Sequence, residues 1–139
     1  MAKVGVIGAG GWGTALSVLL AHNEHEVTLW SIVDKEVQRL NECREQKEKL
    51  PGVKLPESVQ VTGNLEASVK GMDLVVLAVP SVYIRSTAAS CRPYVEQGQI
   101  LLNVAKGIEE STLLPMADVI EQEIPQANVA VMSGPTHEC

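Results

Sequence analysis

The stretch VIGAGGWGTAL, residues 6–16, sets four glycines around a tryptophan between two apolar runs. It admits three readings: the hydrophobic part of a secretion signal, a piece of buried core, or a loop shaped to hold phosphate. The signal reading has the right outline, since Lys3 is followed by a mostly apolar stretch to Ala21. Yet five glycines (Gly5, Gly8, Gly10, Gly11 and Gly13) fall within nine residues and weaken any continuous inserting helix. Trp12, Thr14 and Ser17 interrupt the run, and no later stretch reaches spanning length. No targeting segment and no membrane insertion are therefore expected.

What flanks the stretch decides between the other two readings. KVGVIG (3–8) is a short β-branched run bounded by glycine, and TALSVLLAH (14–22) carries apolar residues at helical spacing up to Asn23. The pattern then repeats. EVTLW (26–30) reads as a strand and DKEVQRLNECRE (34–45) as a helix with Asp34 as its N-cap. A polar, proline-marked loop at 46–58 leads to VQVT (59–62), then a short helix NLEASVKG (64–71) ended by Gly71. LVVLAV (74–79) is uniformly apolar, as a central strand covered on both faces should be, and Pro80 stops it. SVYIRSTAASCRPY (81–94) reads as helix up to Pro93, ILLNVA (100–105) as a strand, TLLPMADVIEQEI (112–124) as helix and NVAVMS (128–133) as a strand.

This alternation predicts an α/β fold: a Rossmann-like, doubly wound parallel sheet of about six strands with helices on both faces. The 139 residues are one domain's length, and a core of Val, Leu, Ile and Ala suits such a sheet because Phe is absent and aromatics are 3%. In such sheets the ligand lies beyond the carboxyl ends of the strands. Functional residues are then expected at Gly8 to Gly13, Ser31 to Asp34, Pro80, Lys106 and Ser133 to Thr136.

Composition narrows the ligand. Eleven basic against 17 acidic residues give a net charge of −6, which argues against nucleic acid and anionic membranes as partners. A small anion is still compatible, because backbone N–H groups and one or two local cations can hold a phosphate. Cys43, Cys91 and Cys139 are widely spaced and odd in number, and read as reduced structural thiols. His22, His25 and His137 lack metal-ligand spacing, so no metal site is expected.

Gly8-Ala9-Gly10-Gly11-Trp12-Gly13 satisfies G-x-G-x-x-G between a predicted strand and a predicted helix, the context a dinucleotide cradle requires. Gly8 would permit the tight turn, Gly10 would let backbone approach a pyrophosphate, and Gly13 would bring helix and sheet together. The helix N-terminus offers N–H groups and the positive end of its dipole to the anion. The acid that recognises a ribose is less clear: the tip reads Trp30-Ser31-Ile32-Val33-Asp34, and Asp34 suits a helix cap. No arginine sits there for a 2′-phosphate, although Ser31 and Lys35 could tolerate one, so NAD(H) and NADP(H) both stay open. Lys106, in NVAKGIE (103–109), follows an apolar run, precedes Gly107 and faces the predicted crevice, where it suits an anionic substrate. These residues reach a dinucleotide-binding domain of an oxidoreductase and no further.

Taken together, VIGAGGWGTALS (6–17), HEVTLW (25–30), LPGVKLP (50–56), LVVLAVPS (74–81), NVAKGIE (103–109) and VMSGPTH (131–137) resemble the bacterial NAD(P)-dependent glycerol-3-phosphate dehydrogenases, in that family's order across essentially the whole chain. The resemblance implies hydride transfer between NAD(H) or NADP(H) and a small phosphorylated substrate, glycerol 3-phosphate or dihydroxyacetone phosphate, feeding glycerophospholipid synthesis in the cytoplasm. By position, Gly8, Gly10, Gly11, Trp12, Gly13 and Pro80 resemble cofactor-binding residues. Lys106 resembles a catalytic residue reaching both nicotinamide and substrate, and Gly134 and Thr136 resemble substrate contacts.

Three departures from the family pattern stand out. Ile32 occupies a position where many members carry Arg or His, and Glu138 one that is usually Ala. The sequence stops at Cys139, whereas the family continues into a helical second domain that supplies a proton-transfer lysine and substrate-phosphate ligands. The resemblance thus implies that residues 1–139 form the N-terminal cofactor domain, bind the cofactor weakly and do not turn over substrate alone; the full-length protein would be a homodimer candidate. Two rivals are a dehydrogenase of the 6-phosphogluconate, hydroxyacyl-CoA or ketopantoate type and a non-catalytic dinucleotide-binding module. The W-G-T-A-L and S-G-P-T sequences speak against the first.

Overall fold

The structure is a computed structural model that describes residues 2–46 and 52–131. Six strands, β1 (Lys3–Ile7), β2 (Glu26–Trp30), β3 (Gln60–Thr62), β4 (Leu74–Leu77), β5 (Ile100–Asn103) and β6 (Asn128–Val131), form one sheet in the order β3-β2-β1-β4-β5-β6. Every pairing is parallel. Among the described residues five α-helices connect them: α1 (Gly11–His22), α2 (Asp34–Cys43), α3 (Leu65–Val69), α4 (Ile84–Cys91) and α5 (Met116–Glu123). Strand order reverses between β1 and β4, which makes their carboxyl ends the switch point of a Rossmann-like sheet.

The sheet separates two cores, and pleat alternation explains why its central strands are apolar throughout. Val4, Val6 and Val76 pack on one face with Leu40 of α2 and Leu16 and Leu20 of α1. Ile7, Val75 and Leu77 pack on the other with Val69, Ile84, Ala88, Met116, Val119 and Ile120 from α3, α4 and α5. The sheet-facing side of α1 is made of small residues, since Gly13, Thr14 and Ser17 are its buried positions while Leu19 is exposed. The two hydroxyls are satisfied locally: Thr14 Oγ1 donates to the Ala9 carbonyl at 3.3 Å and Ser17 Oγ to the Gly13 carbonyl at 2.9 Å. Small side chains let this helix lie close to the strands, which an apolar periodicity alone does not convey.

Several boundaries differ from expectation, each for a local reason. Helix α2 is capped by Val33 rather than Asp34, which is its first helical residue. Strand β4 stops at Leu77, before Pro80, and β5 stops at Asn103. There the Asn103 side chain accepts from the Ala105 N–H at 3.0 Å and donates to its carbonyl at 3.1 Å, an Asx-type turn that ends sheet pairing. The segment expected as one helix at 81–94 is a 3₁₀ turn at Ser81–Tyr83, then α4, then a second 3₁₀ turn at Arg92–Tyr94. Thr112 to Leu114 are loop, because Pro115 disfavours helix in the residue before it and itself becomes the cap of α5.

Candidate functional site

A cleft of about 700 Å³ opens at the carboxyl ends of β2, β1, β4 and β5. Three strand spacings make it about 14 Å long, the scale of an extended dinucleotide. Its floor is the turn Gly8 to Trp12; its walls include Trp30 to Val33, Ala78 to Ser81, Tyr83 and Val104 to Lys106. Most of that wall is apolar, and Trp12, Ile32 and Tyr83 stay exposed at the mouth. Flat heterocycles have apolar surfaces to lie against there.

The floor is held by backbone geometry. Gly8 has φ +122°, and a Cβ there would come within 2.8 Å of the Ala78 backbone. Its N–H donates to the Trp30 carbonyl at 2.9 Å, joining the turn to β2. A Cβ on Gly13 would run into the Gly8 carbonyl oxygen, so α1 and the turn touch through bare backbone. Helix α1 begins after Gly10 with no side-chain cap and no acidic residue in its first turn. The positive end of the helix dipole and its first amides therefore face the cleft, the arrangement that suits an anion.

The expected residues are mostly brought together. Gly8, Gly10, Gly11, Trp12, Pro80 and Lys106 all line the cleft. Gly13 does not; it is buried beneath the turn and acts by letting the helix approach. Ser31, Ile32 and Val33 line the cleft, whereas Asp34 does not. Gly134 and Thr136 lie outside the described residues, as do Ser133 and Glu138.

Glu36 takes the place at the β2 end that Asp34 leaves vacant. Its Oε1 accepts from Ser31 Oγ at 2.6 Å and its Oε2 from Gln46 Nε2 at 2.8 Å. The same Gln46 nitrogen donates to the Ala9 carbonyl in the glycine turn at 2.6 Å, and Ser31 Oγ accepts from the Val33 N–H at 3.1 Å. Gln46 and Ser31 are each 3% exposed. Glu36 is the third residue after the Val33 cap, a position whose side chain reaches back over its own helix N-terminus, but that count is legible only once Val33 rather than Asp34 is seen to be the cap. For Gln46, inside a polar loop, no signal existed.

At the β5 end, Lys106 is exposed on a loop fastened from outside the cleft. Arg85 of α4 makes a bidentate pair with Glu109, both contacts at 2.7 Å, and reaches Glu123 of α5 at 2.7 Å. The guanidinium, with help from the Thr112 hydroxyl, lowers the Glu109 carboxyl from its ordinary 4.5 to about 2. The hydrogen bonds to Glu109 and Glu123 raise the Arg85 pKa further above its ordinary value, so it stays charged. Cys91, buried in the last turn of α4, is pushed up to about 12 by desolvation and is unreactive as a thiolate. Among the described residues no group of three His, Cys, Asp or Glu could hold a metal, and no helix is long and apolar enough to cross a membrane.

Comparison with known proteins agrees with this geometry. The family described as NAD-dependent glycerol-3-phosphate dehydrogenase N-terminus matches residues 3–138. A glycerol-3-phosphate dehydrogenase [NAD(P)+] of Agathobacter rectalis is 57% identical over 137 residues, covering 99% of this chain and 41% of that protein. One from Fusobacterium nucleatum is 50% identical over 139 residues, covering 99% of the chain and 42% of its own length. The crystal structure of a glycerol-3-phosphate dehydrogenase from Coxiella burnetii superposes with a TM-score of 0.88 at 28% identity, over 97% of this chain and 41% of that one. A ketopantoate reductase from Ralstonia eutropha superposes less closely, with a TM-score of 0.71 at 26% identity over 93% of this chain and 40% of that one. The chain spans about two fifths of the length of the curated relatives it matches.

Proposed function

The chain belongs to the NAD-dependent glycerol-3-phosphate dehydrogenase N-terminal family, and on that premise we propose that it is the cofactor-binding unit of a glycerol-3-phosphate dehydrogenase. The observation that carries the reading is the juxtaposition in one cleft of an uncapped helix N-terminus behind Gly8–Gly11 and a lysine, Lys106, at the far strand tip. The turn with Gly10, Gly11 and Trp12 would hold the pyrophosphate of NAD(H) or NADP(H). The β2 end would take the adenosine, and Pro80 and Lys106 would flank the nicotinamide. Gly13 contributes by letting the helix meet the turn.

When bound, the nicotinamide supplies or accepts the hydride. The chain's own residues bind and orient: the α1 amides neutralise phosphate charge, and the apolar wall excludes water from the ring. The Lys106 cation suits a polarised carbonyl oxygen, or a phosphate, of dihydroxyacetone phosphate or glycerol 3-phosphate. Gly134 and Thr136 are proposed as substrate contacts on the strength of the family pattern alone. No residue of this chain is assigned the proton transfer, so cofactor binding without turnover is the expected behaviour of residues 1–139. The wider setting we propose is cytoplasmic supply of sn-glycerol 3-phosphate to glycerophospholipid synthesis, by a protein that pairs as a homodimer.

Titration with NADH tests the reading directly, because both tryptophans, Trp12 and Trp30, line the cleft and report on it. Saturable quenching that Trp12→Ala and Lys106→Met weaken is the expected result. No response up to millimolar NADH would overturn cofactor binding, and robust reduction of dihydroxyacetone phosphate by the chain alone would overturn the assignment of proton transfer elsewhere.

A further inference from the structure

Helix α4 turns three faces to three different surroundings. Ile84, Ala88 and Cys91 enter the core, and Arg85 reaches the Lys106 loop. Tyr83, its N-terminal cap residue, lines the cleft together with Ser86 and Thr87. Thr87 is 9% exposed, so it is buried in the cleft wall rather than set on its rim. Of the seven polar side chains buried among the described residues, the other six hydrogen-bond within the protein. The Thr87 hydroxyl has no such partner among the described residues. A helical threonine ordinarily donates to the carbonyl one turn back, but here the Tyr83 carbonyl accepts from Ser86 Oγ at 3.2 Å. An unpaired buried hydroxyl is costly, and one that borders a binding cleft is left for a ligand to pair.

We propose that the Thr87 hydroxyl receives the carboxamide of the nicotinamide ring and so fixes how the ring is turned in the cleft. The inference rests on the cofactor reading above and deepens it. The β4 and β5 ends that border this part of the cleft, Ala78, Val79, Pro80, Val104 and Ala105, carry no polar side chain. Charged groups of a ligand have the α1 amides and Lys106 to go to. A flat unsaturated ring suits the apolar wall, and an amide on that ring can donate to a hydroxyl or accept from it. Strand order gives the same assignment. β4, whose chain continues through Pro80 into α4, lies between β1, which leads into the glycine turn, and β5, which leads to Lys106. A dinucleotide with its pyrophosphate on the turn thus brings its nicotinamide half past the β4 tip. One hydrogen bond at the edge of the ring would hold it against rotation about its glycosidic bond.

The test is calorimetric titration of the intact chain with NADH and with ADP-ribose, which lacks the nicotinamide ring. Thr87→Val keeps the shape of the side chain and removes its hydroxyl. It should weaken NADH by about fivefold, the size of one neutral hydrogen bond, and leave ADP-ribose within about twofold. Thr87→Ser keeps a hydroxyl and should bind NADH within about twofold of the unaltered chain. The thermal midpoint of ligand-free Thr87→Val should hold or rise, because the substitution removes an unpaired buried hydroxyl. A lower midpoint would show that the hydroxyl has a structural partner, and would overturn the inference. Equal losses for both ligands, an unchanged NADH affinity, or a loss in Thr87→Ser as large as in Thr87→Val would overturn it too. Each of these outcomes leaves binding through the glycine turn standing. Binding of neither NADH nor ADP-ribose by the unaltered chain would overturn the dinucleotide reading, and the inference with it.

Discussion

The glycine turn (Gly8–Gly13) and the Lys106 loop (Val104–Pro115) border the same cleft, but they are held by different physics. The turn is fixed by backbone touching backbone, where a single added methyl group at Gly8 or Gly13 meets main-chain atoms that cannot move aside. The loop is fixed by side chains reaching in from two helices, chiefly Arg85 onto Glu109 and Glu123. Close backbone contact demands one residue type at one position, and so it writes itself into the sequence. An ion-pair clamp demands only complementary charge at a distance of 24 and 38 positions along the chain, which leaves no local mark.

The contrast is sharpest at two glycines. Gly13→Ala should destabilise the fold by about 3 kcal/mol, because the new methyl overpacks a backbone junction. The thermal midpoint should fall by about 10 °C, measured by circular dichroism. Near-wild-type stability would break the claim that the turn rests on close approach. Next in size, Gln46→Leu removes one buried donor from the Ala9 carbonyl, which keeps Thr14 Oγ1, and one from the Glu36 carboxylate, which keeps Ser31 Oγ, a cost of about 1–3 kcal/mol. Its denaturant midpoint should fall and NADH affinity should fall with it, since the turn loses its brace.

Gly107→Ala probes the other region. Gly107 also has positive φ, +92°, but a Cβ there would meet nothing within 4 Å. Only backbone strain remains, about 1 kcal/mol, so the loss should be well below that of Gly13→Ala in the same denaturant titration. A larger loss would mean that the loop is as tightly specified as the turn.

The smallest expected effect on stability at neutral pH comes from Arg85→Met, because the clamp is partly open to solvent. Its signature lies elsewhere. Glu109 is lowered in the folded chain from 4.5 to about 2, so the unfolded chain binds more protons between those values. The contribution is therefore complete above pH 4.5 and is lost as pH falls towards 2. Arg85→Met should remove that component of acid sensitivity and speed amide exchange at Glu109 and Leu113, whose N–H groups close the loop onto Leu114 and Glu109. Unchanged exchange at both amides would show that the loop does not need its clamp.

The same division explains how much of the site could be read in advance. Strand and helix alternation, the glycine turn and the strand-tip positions of Pro80 and Lys106 all follow from local pattern, and the structure brings these residues to one cleft. The acid did not follow: Asp34 is nearer the strand and looks like a cap, yet Glu36 faces the cleft because its helix position turns it back. Gln46 was invisible in a polar loop whose burial only tertiary packing creates. The small residues Thr14 and Ser17 likewise read as interruptions of an apolar helix, although they are the face that meets the sheet.

By itself, then, the sequence determined the elements, their parallel order and the phosphate-shaped turn, because those depend on periodicity and on glycine where a Cβ cannot fit. Tertiary structure decided which acid enters the cleft, what fixes it there and what steadies the loop that presents Lys106. The contacts that tie these groups to the rest of the cleft, Gln46 onto Ala9 and Arg85 onto Glu109 and Glu123, join residues 24 to 38 positions apart, which meet only once the sheet has brought them together.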